Sequence, residues 1–173
     1  MNKNISIIIP IYNERESIFI LIDEISKVLK QHKFELIIVD SFSNDGTDEM
    51  VSEFKMQQLP FSLNFVQREN PAGKGEARNV GVASAKSDII IISDADMIPS
   101  NGFIQAHYKA HQSSDHKCCF EGLAYNLETY DWPPNSDSLT PQVPKKFKQG
   151  DRLDWYYFLT GNISFPKALF KLE

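Results

Sequence analysis

Two carboxylates follow directly after a run of hydrocarbon side chains near the middle of the chain. Asp94 and Asp96 come after the four isoleucines at 89–92, a run typical of a strand that is buried on both faces. If the strand continues, the spacing of two places both carboxylates on the same side, where they repel each other. A hard divalent cation, Mg²⁺ or Mn²⁺, would relieve this repulsion and bridge to phosphate oxygens. The alternative is a helix cap or a turn, because aspartate is common after strands.

Two cations lie in a glycine-bearing segment at 70–79. Lys74 and Arg78 are four positions apart, so they share one face of a helix that begins here. The N-terminal amides and the dipole of such a helix favour an anion. The segment is not a P-loop, because its glycine spacing differs and Glu76 stands where that motif needs other chemistry. A solvated helix start is the alternative interpretation.

The segment 39–47 places another acidic side chain at a strand end. Asp40 closes an apolar run, and its carboxylate could accept hydrogen bonds from a base or a ribose. Serine, asparagine, aspartate and glycine in the same segment are also what a tight strand-to-helix turn uses, with Asp45 or Thr47 capping the next helix. The sequence leaves both interpretations open.

The hydrophobic pattern predicts the elements that position these groups. Apolar runs alternate with helical periodicity, and an Asn13–Glu16 capping box is expected to start the first helix. Such alternation predicts a largely parallel sheet covered on both faces, with ligands at the carboxyl ends of its strands. The predicted strands are 5–11, 34–39, 63–67 and 89–93, and the predicted helices are one ending near 32, then 47–57 and 75–85.

Beyond residue 100 the pattern is weaker. It predicts a helix at 101–113, an extended segment at 118–127 and a long loop at 130–150. There is no internal repeat and no linker, and 173 residues suit one sizeable core. We therefore expect a single domain.

Composition and charge narrow the classes of partner. A net charge of −5 argues against a nucleic-acid surface, which needs an excess of lysine and arginine. Cys118 and Cys119 are adjacent and would point to opposite faces of a strand, so we expect thiols in a reducing compartment. No signal-peptide pattern and no apolar run of about 18 residues is present. The expectation is a cytoplasmic protein without a transmembrane segment, with peripheral membrane association through a partner left open.

Four segments in this order resemble the motifs of family 2 glycosyltransferases, which have the GT-A fold. They are Ile-Ile-Ile-Pro-Ile-Tyr-Asn-Glu at 7–14, the turn at 40–47, Ala-Arg-Asn-Val-Gly at 77–81 and Asp-Ala-Asp at 94–96. The match is strong over residues 4–100, and 160–164 is similar to a later, weaker element near the acceptor side. The resemblance implies an α/β fold, a Rossmann-like three-layer sandwich with a mainly parallel central sheet.

Carried over by position, the resemblance implies a site for a nucleotide sugar. Asp40 would contact the base, and Arg78 with Lys74 would face the donor. Asp94 and Asp96 match the family's DXD motif and would hold Mn²⁺ or Mg²⁺ against the diphosphate. Other donor-binding positions would be Ala95 within that motif and, lining the nucleoside pocket, Pro10, Tyr12 and Glu14.

The sequence departs from the family pattern in two places. Phe42 stands where glycine is common and Ser41 where a second aspartate is frequent, so we expect a base-binding turn of different shape, with UDP still favoured. Family members also take a general base from a C-terminal segment, and nothing here matches it. The chain is thus expected to be one glycosyltransferase domain, 1–173, with a nucleotide-binding half at 1–100 and only the start of the acceptor-side half at 101–173. The carboxylates available as a base are Glu121, Asp131, Asp151 and Asp154, and each is expected instead to be a surface group.

Histidines and aromatic residues of the second half receive structural interpretations. His107 and His111 have helical spacing, with His116 nearby, but lack a third ligand and are expected to face solvent. The aromatic run at 155–158 is expected to belong to the core, although it could stack on a sugar.

Three functions follow as hypotheses. The first is metal-dependent, inverting transfer of a sugar from a nucleoside-diphosphate sugar to a hydroxyl on a glycan or lipid-linked sugar. The second is a catalytically incomplete module that binds the donor without turnover. The third, a nucleotidyltransferase, needs a glycine-rich basic loop after the first strand, which residues 10–14 do not provide. Self-association into a homo-oligomer is a further expectation if an apolar surface stays exposed.

Overall fold

The computed structural model describes residues 5–71, 73–114, 117–127, 139–142, 148, 150–154 and 161–170. The strands in these ranges are β1 (Ile5–Ile11), β2 (Phe34–Asp40), β3 (Ser62–Gln67), β4 (Ile89–Ser93), β5 (Phe120–Glu121), β6 (Tyr125–Leu127), β7 (Leu139–Pro141) and β8 (Asn162–Pro166). The helices are α1 (Arg15–Val28), α2 (Thr47–Lys55), α3 (Lys74–Ser84) and α4 (Phe103–Ser113), followed by a 3₁₀ turn at Lys167–Leu169.

The main sheet of the described part has the strand order β3-β2-β1-β4-β8-β5. Its first four strands are parallel, whereas β8 runs antiparallel to both β4 and β5. Ile11 pairs with Asp40, and Asn162 at the start of β8 pairs with Ser93 at the end of β4. The strand order reverses between β1 and β4, which in open α/β sheets is where ligands bind. The mainly parallel sheet is confirmed.

Apolar runs in the central strands reflect burial on both faces of the sheet. Along β1, Ile7 and Ile9 pack in the cluster formed with α1, α2 and α4, whereas Ile8 packs with α3 on the opposite face. Burying each such side chain contributes about 1.5–3 kcal/mol, so a run of them fixes the strand between two helical layers. These are the three layers that the resemblance implied.

Helix α3 approaches the sheet closely at Gly81. A Cβ atom on Gly81 would lie 2.3 Å from Cγ2 of Ile8 and 3.3 Å from Cγ2 of Val39. Only a residue without a side chain allows the helix backbone to come this near the two strands. The position of α3 matters because its first turns carry Lys74 and Arg78.

The predicted capping box of the first helix is wrong. Asn13 has a φ of 55°, and its side-chain oxygen accepts a hydrogen bond from the Asn44 N–H at 3.0 Å instead of capping α1. The helix N-cap is Glu14, without a side-chain cap hydrogen bond, and α1 ends at Val28 rather than near residue 32. Helices α2 and α3 lie within two residues of their predicted bounds.

The second half contains more strand than the sequence indicated. The extended segment at 118–127 consists of β5 and β6, and the predicted loop at 130–150 includes β7, which pairs with β6 in a separate two-stranded sheet. Asp131, His116, Thr160 and the aromatic run at 155–158 lie outside the described residues.

Neither cysteine forms a disulfide, as expected from their adjacent positions. Burial raises the pKa of the Cys119 thiol. Among the helices of the described ranges, none is both long and apolar enough to cross a membrane.

Candidate functional site at the carboxyl edge of the sheet

The loops that follow β1 and β2 are tied together by hydrogen bonds. The Asn13 N–H donates to Ser43 Oγ at 2.9 Å, the Glu14 N–H to Thr47 Oγ1 at 3.0 Å, and the Arg15 N–H to Asp45 Oδ2 at 3.2 Å. Because each bond joins residues about thirty positions apart in sequence, the two loops form one rigid rim beyond the carboxyl ends of the strands.

Asp45 is an acceptor at the centre of this rim. Burial by itself would raise its pKa, but hydrogen bonds from Thr47 and from the Arg15 N–H lower it below its ordinary value. Asp45 and Thr47 thus stabilise the turn, although the N-cap of α2 is Gly46, with a φ of 85°. The segment is thus a strand-to-helix turn, as the structural interpretation predicted, but the N-cap is Gly46 and not Asp45 or Thr47.

Asp40 is buried and committed to the same turn. Its Oδ2 accepts a hydrogen bond from the Ser43 N–H at 3.2 Å, and its carbonyl oxygen accepts one from the Arg68 N–H at 3.1 Å. The side chain is fully inaccessible. The turn therefore uses Asp40 as a structural acceptor, and its contact with a base stays a prediction.

The other residues assigned to the nucleoside pocket differ in exposure. Pro10 is buried within β1 and pairs with Val39 of β2. It lies beyond Ile8, the last residue of β1 that pairs with β4, so its missing N–H removes no hydrogen bond between β1 and β4. Tyr12 is 53% exposed at the rim. The carboxylate of Glu14 accepts a hydrogen bond from the Ser17 hydroxyl in the first turn of α1.

Asp94 is held from two sides. Its Oδ1 lies 3.0 Å from Nη2 of Arg78, and its N–H donates to the Gly161 carbonyl at 3.2 Å. β4 ends at Ser93, so the condition that would align Asp94 and Asp96 along a continuing strand is not met, and a turn follows in which the Met97 N–H donates to the Asp94 carbonyl. Ala95 is buried in that turn and Asp96 is exposed.

Arg78 and Lys74 differ in their surroundings at the start of α3. Lys74 is exposed in the first turn, after an N-cap, Gly73, that makes no side-chain cap bond. Arg78 is largely buried through its pair with Asp94, and its Nε is buried with no hydrogen-bond partner in the described part of the chain. The structure therefore brings Arg78 and Asp94 into contact, and their roles toward a donor and a metal ion stay predictions.

Arg68 is a cation that sequence reasoning missed. It directly follows β3, forms an ion pair with Glu76 in the first turn of α3, and has a buried Nε without a partner among the described residues. The signal was available, because Arg68 occupies the same position after its strand that Asp94 occupies after β4. Arg68 and Arg78 are thus two guanidinium groups near the first two turns of α3, each paired with one carboxylate.

The two histidines of α4 are buried, and the expectation that they face solvent is wrong. His107 and His111 are each 4% exposed. His107 Nδ1 lies 2.8 Å from Ser164 Oγ and its Nε2 lies 2.9 Å from Asn162 Oδ1, while His111 Nε2 also reaches Ser164 Oγ, at 2.9 Å. Polar partners on β8 turn this helix face inward. The network fixes Asn162, the residue after Gly161, beside the Asp94 turn.

The stability of the protein is expected to fall as the pH drops below about 6.5 because of His107. Burial lowers its pKa, against a smaller raising effect of the Asn162 hydrogen bond. The unfolded chain therefore binds the proton first, and the folded state loses up to about 1.4 kcal/mol per pH unit from this group. Urea denaturation at several pH values gives the free energy of unfolding as a function of pH, and its slope against pH should be shallower for His107→Gln than for the native chain. Equal slopes would show that His107 carries no such linkage.

Two carboxylates at this edge are candidates for holding a cation. In the described ranges no group of three or more His, Cys, Asp or Glu side chains is arranged to bind a metal ion. Mg²⁺ and Mn²⁺, however, are commonly held by one or two carboxylates, with phosphate oxygens and water completing the shell. Asp94 and Asp96 provide such a donor set. They fit a cation that arrives with a diphosphate, and they do not form a complete protein cage.

The family of the chain follows from comparison with known proteins. Residues 6–172 match the model of Glycosyl transferase family 2, and the chain belongs to that family. It is 32% identical over 133 residues to the glycosyltransferase GlyG of Streptococcus pneumoniae, a match that covers 76% of this chain and 42% of GlyG. The chain thus spans less than half the length of this curated relative.

Solved structures show the same GT-A fold. The mannosyltransferase PcManGT from Pyrobaculum calidifontis, in complex with GDP-Man and Mn²⁺, superposes with a TM-score of 0.59 at 26% identity, covering 69% of this chain and 35% of that protein. TarS 1–349 of S. aureus in complex with UDP superposes with a TM-score of 0.71 at 20% identity, covering 96% and 47%. At that identity the likeness to TarS concerns the fold alone.

Proposed function

We propose that the chain binds a nucleoside-diphosphate sugar together with Mn²⁺ or Mg²⁺ at the carboxyl edge of its sheet. It would do so as the donor-binding part of an enzyme that transfers the sugar, with inversion, to a hydroxyl of a glycan or lipid-linked sugar. The observation that carries the proposal is the Arg78–Asp94 pair, 3.0 Å apart, beside the exposed Asp96. This arrangement places the Arg78 guanidinium and two carboxylates at the end of β4, next to the point where the strand order reverses.

Arg78 is suited to contact a phosphate while it holds Asp94. One of its nitrogens pairs with Asp94, and its buried Nε has no partner among the described residues. A buried donor left unsatisfied costs about 1–3 kcal/mol, and a phosphate oxygen would remove that cost. Lys74, exposed one turn earlier on α3, adds positive charge near the same helix start. The two cations support donor binding at this end of α3.

The carboxylates supply what the arginine cannot. Asp94 and Asp96 would hold the cation, which when bound supplies the positive charge that stabilises a departing diphosphate. The Arg78 contact orients the Asp94 carboxylate, and the buried Ala95 fixes the turn between the two acidic residues. The residues of the chain thus hold the two carboxylates in place before a cation binds.

The relatives support a nucleotide sugar and a divalent cation as ligands. The structure of PcManGT contains GDP-Man and Mn²⁺, which makes GDP the second nucleotide to test beside UDP, the nucleotide favoured by the resemblance. The general base, the acceptor, the division into two halves, the cytoplasmic location and self-association stay predictions.

Turnover can be tested with the native chain, Mn²⁺ and either a UDP-sugar or GDP-mannose. Chromatography measures the nucleoside diphosphate that is released, and thermal melts with UDP or GDP report binding. Release above that of a heat-inactivated sample shows that the sugar–diphosphate bond is cleaved with water as the acceptor in place of a glycan hydroxyl, and supports a transferase whose donor site is active in this chain. A thermal shift with UDP or GDP but no release supports the alternative, a donor-binding module without turnover. No shift and no release would contradict donor binding altogether.

Substitution of Gly161 should weaken donor binding with little effect on folding. A Cβ atom at this position would lie 3.0 Å from Oδ2 of Asp94, so Gly161→Ala must displace that carboxylate by a few tenths of an ångström. Because Arg78 restrains Asp94, we expect affinity for UDP with Mn²⁺ to fall about three- to tenfold. The measurement is calorimetric titration, with Gly102→Ala as control, since a Cβ at Gly102 meets nothing within 4 Å. Equal affinities for Gly161→Ala and the native chain would contradict this role.

A further inference from the structure

Phe42 has an unusual backbone conformation for its residue type. Its φ is 74°, in the left-handed region that favours glycine, where a bulky side chain is a genuine outlier. Glycine would adopt this conformation without steric penalty. The turn after β2 therefore keeps an aromatic ring at a position where the backbone favours none.

Hydrogen bonds on both sides hold Phe42 in this conformation. Before it, the Ser41 N–H donates to the Ile11 carbonyl at 2.9 Å, and after it the Ser43 N–H donates to Asp40 Oδ2 at 3.2 Å. Ser43 Oγ in addition accepts the bond from the Asn13 N–H across the rim. The conformation is thus set by the surrounding loops, which is how strain persists at functional sites.

The ring does not contribute to the hydrophobic core. Phe42 is 50% exposed, and it belongs to neither core cluster of the described residues. It lies beyond the Ile11–Asp40 pair at the carboxyl edge, where Tyr12 of the neighbouring loop is similarly exposed. In the protein alone, the exposed apolar ring and the strained backbone of Phe42 each cost free energy. A ligand with a flat apolar face would explain why the ring is kept at this position.

We propose that Phe42 stacks on the nucleobase of the donor. This inference rests on the proposed function, and it adds the residue that provides the affinity for the base. Stacking on an aromatic ring tolerates every base, because each base has a π-face. Phe42 therefore strengthens binding of UDP and GDP alike, and the choice between them lies elsewhere in the rim.

Three substitutions separate the ring from the strain. Phe42→Gly removes both, Phe42→Leu keeps apolar bulk and the strain without a ring, and Phe42→Trp keeps an aromatic face. We expect Phe42→Gly and Phe42→Leu to weaken UDP and GDP binding about tenfold in calorimetric titrations with Mn²⁺, and Phe42→Trp to bind like the native chain. The melting temperature of Phe42→Gly should rise by about 2–4 °C, because the strain is relieved.

For Phe42→Gly, the melting temperature should rise and the nucleotide affinity should fall if the ring stacks on the base. A more stable Phe42→Gly that binds nucleotide more weakly supports stacking. Phe42→Gly or Phe42→Leu binding as tightly as the native chain would overturn it while leaving the proposed function intact. If the native chain bound neither UDP nor GDP, the proposed function would fail and the inference with it.

Discussion

Asp96→Asn is expected to reduce the affinity for UDP in the presence of Mn²⁺ by about 100-fold or more while the protein stays folded. Loss of an outer partner of a metal ligand alone costs about 10- to 100-fold, and Asp96 is proposed to be a direct ligand. Because Asp96 is exposed, its replacement by an isosteric amide removes a charge without opening a cavity. Calorimetric titration measures the affinity, and a thermal melt checks the fold.

The matched control for this substitution is Asp23→Asn. Asp23 lies on α1, where its carboxylate pairs with Lys27 at 2.6 Å on the surface, so the change removes one exposed, solvent-screened ion pair far from the site. It should leave nucleotide affinity unchanged. Native affinity in Asp96→Asn, or an equal loss in Asp23→Asn, would show that Asp96 does not hold the cation.

Gly81→Ala is expected to destabilise the fold by about 2 kcal/mol or more. The added Cβ would lie 2.3 Å from Cγ2 of Ile8, a fully buried side chain in the central strand. An approach this close puts overpacking at the upper end of its usual range, about 3 kcal/mol or more, and the better helix propensity of alanine offsets about 1 kcal/mol. The melting temperature should fall by about 4–8 °C. Because α3 must move outward, Arg78 should shift and UDP binding should weaken as well.

Gly75→Ala provides the control on the same helix. A Cβ at Gly75 meets nothing within 4 Å, so this substitution should leave the free energy of unfolding unchanged or raise it by up to about 1 kcal/mol. Similar stability for the two alanine variants would mean that α3 does not depend on close contact at Gly81.

Local patterns in the sequence were sufficient to predict the core of the fold. The runs that became β1 and β4 are buried at every position and almost entirely apolar because both faces are covered, and this continuity distinguishes them from strands with one exposed face. The topology rule then placed Asp40 and Asp94 at one edge. The ion pair between Arg78 on α3 and Asp94 after β4 is a tertiary contact that these placements did not include.

Contacts between distant segments could not be predicted in this way. His107 and His111 share a helix face, and this face is buried where it contacts Ser164 and Asn162, more than fifty residues away. The positive φ of Asn13 likewise depends on its bond to the Asn44 N–H in the next loop. Helical periodicity describes the face of one element, whereas its partner is set by tertiary packing.

Calorimetric titration of UDP and of GDP into the native chain, once with Mn²⁺ and once with a chelator, tests donor binding most directly. We predict saturable binding with Mn²⁺, tighter for UDP, and loss of most of that affinity with the chelator. The same affinity with and without the cation, or no binding of either nucleotide, would contradict a metal-dependent donor site at Asp94 and Asp96.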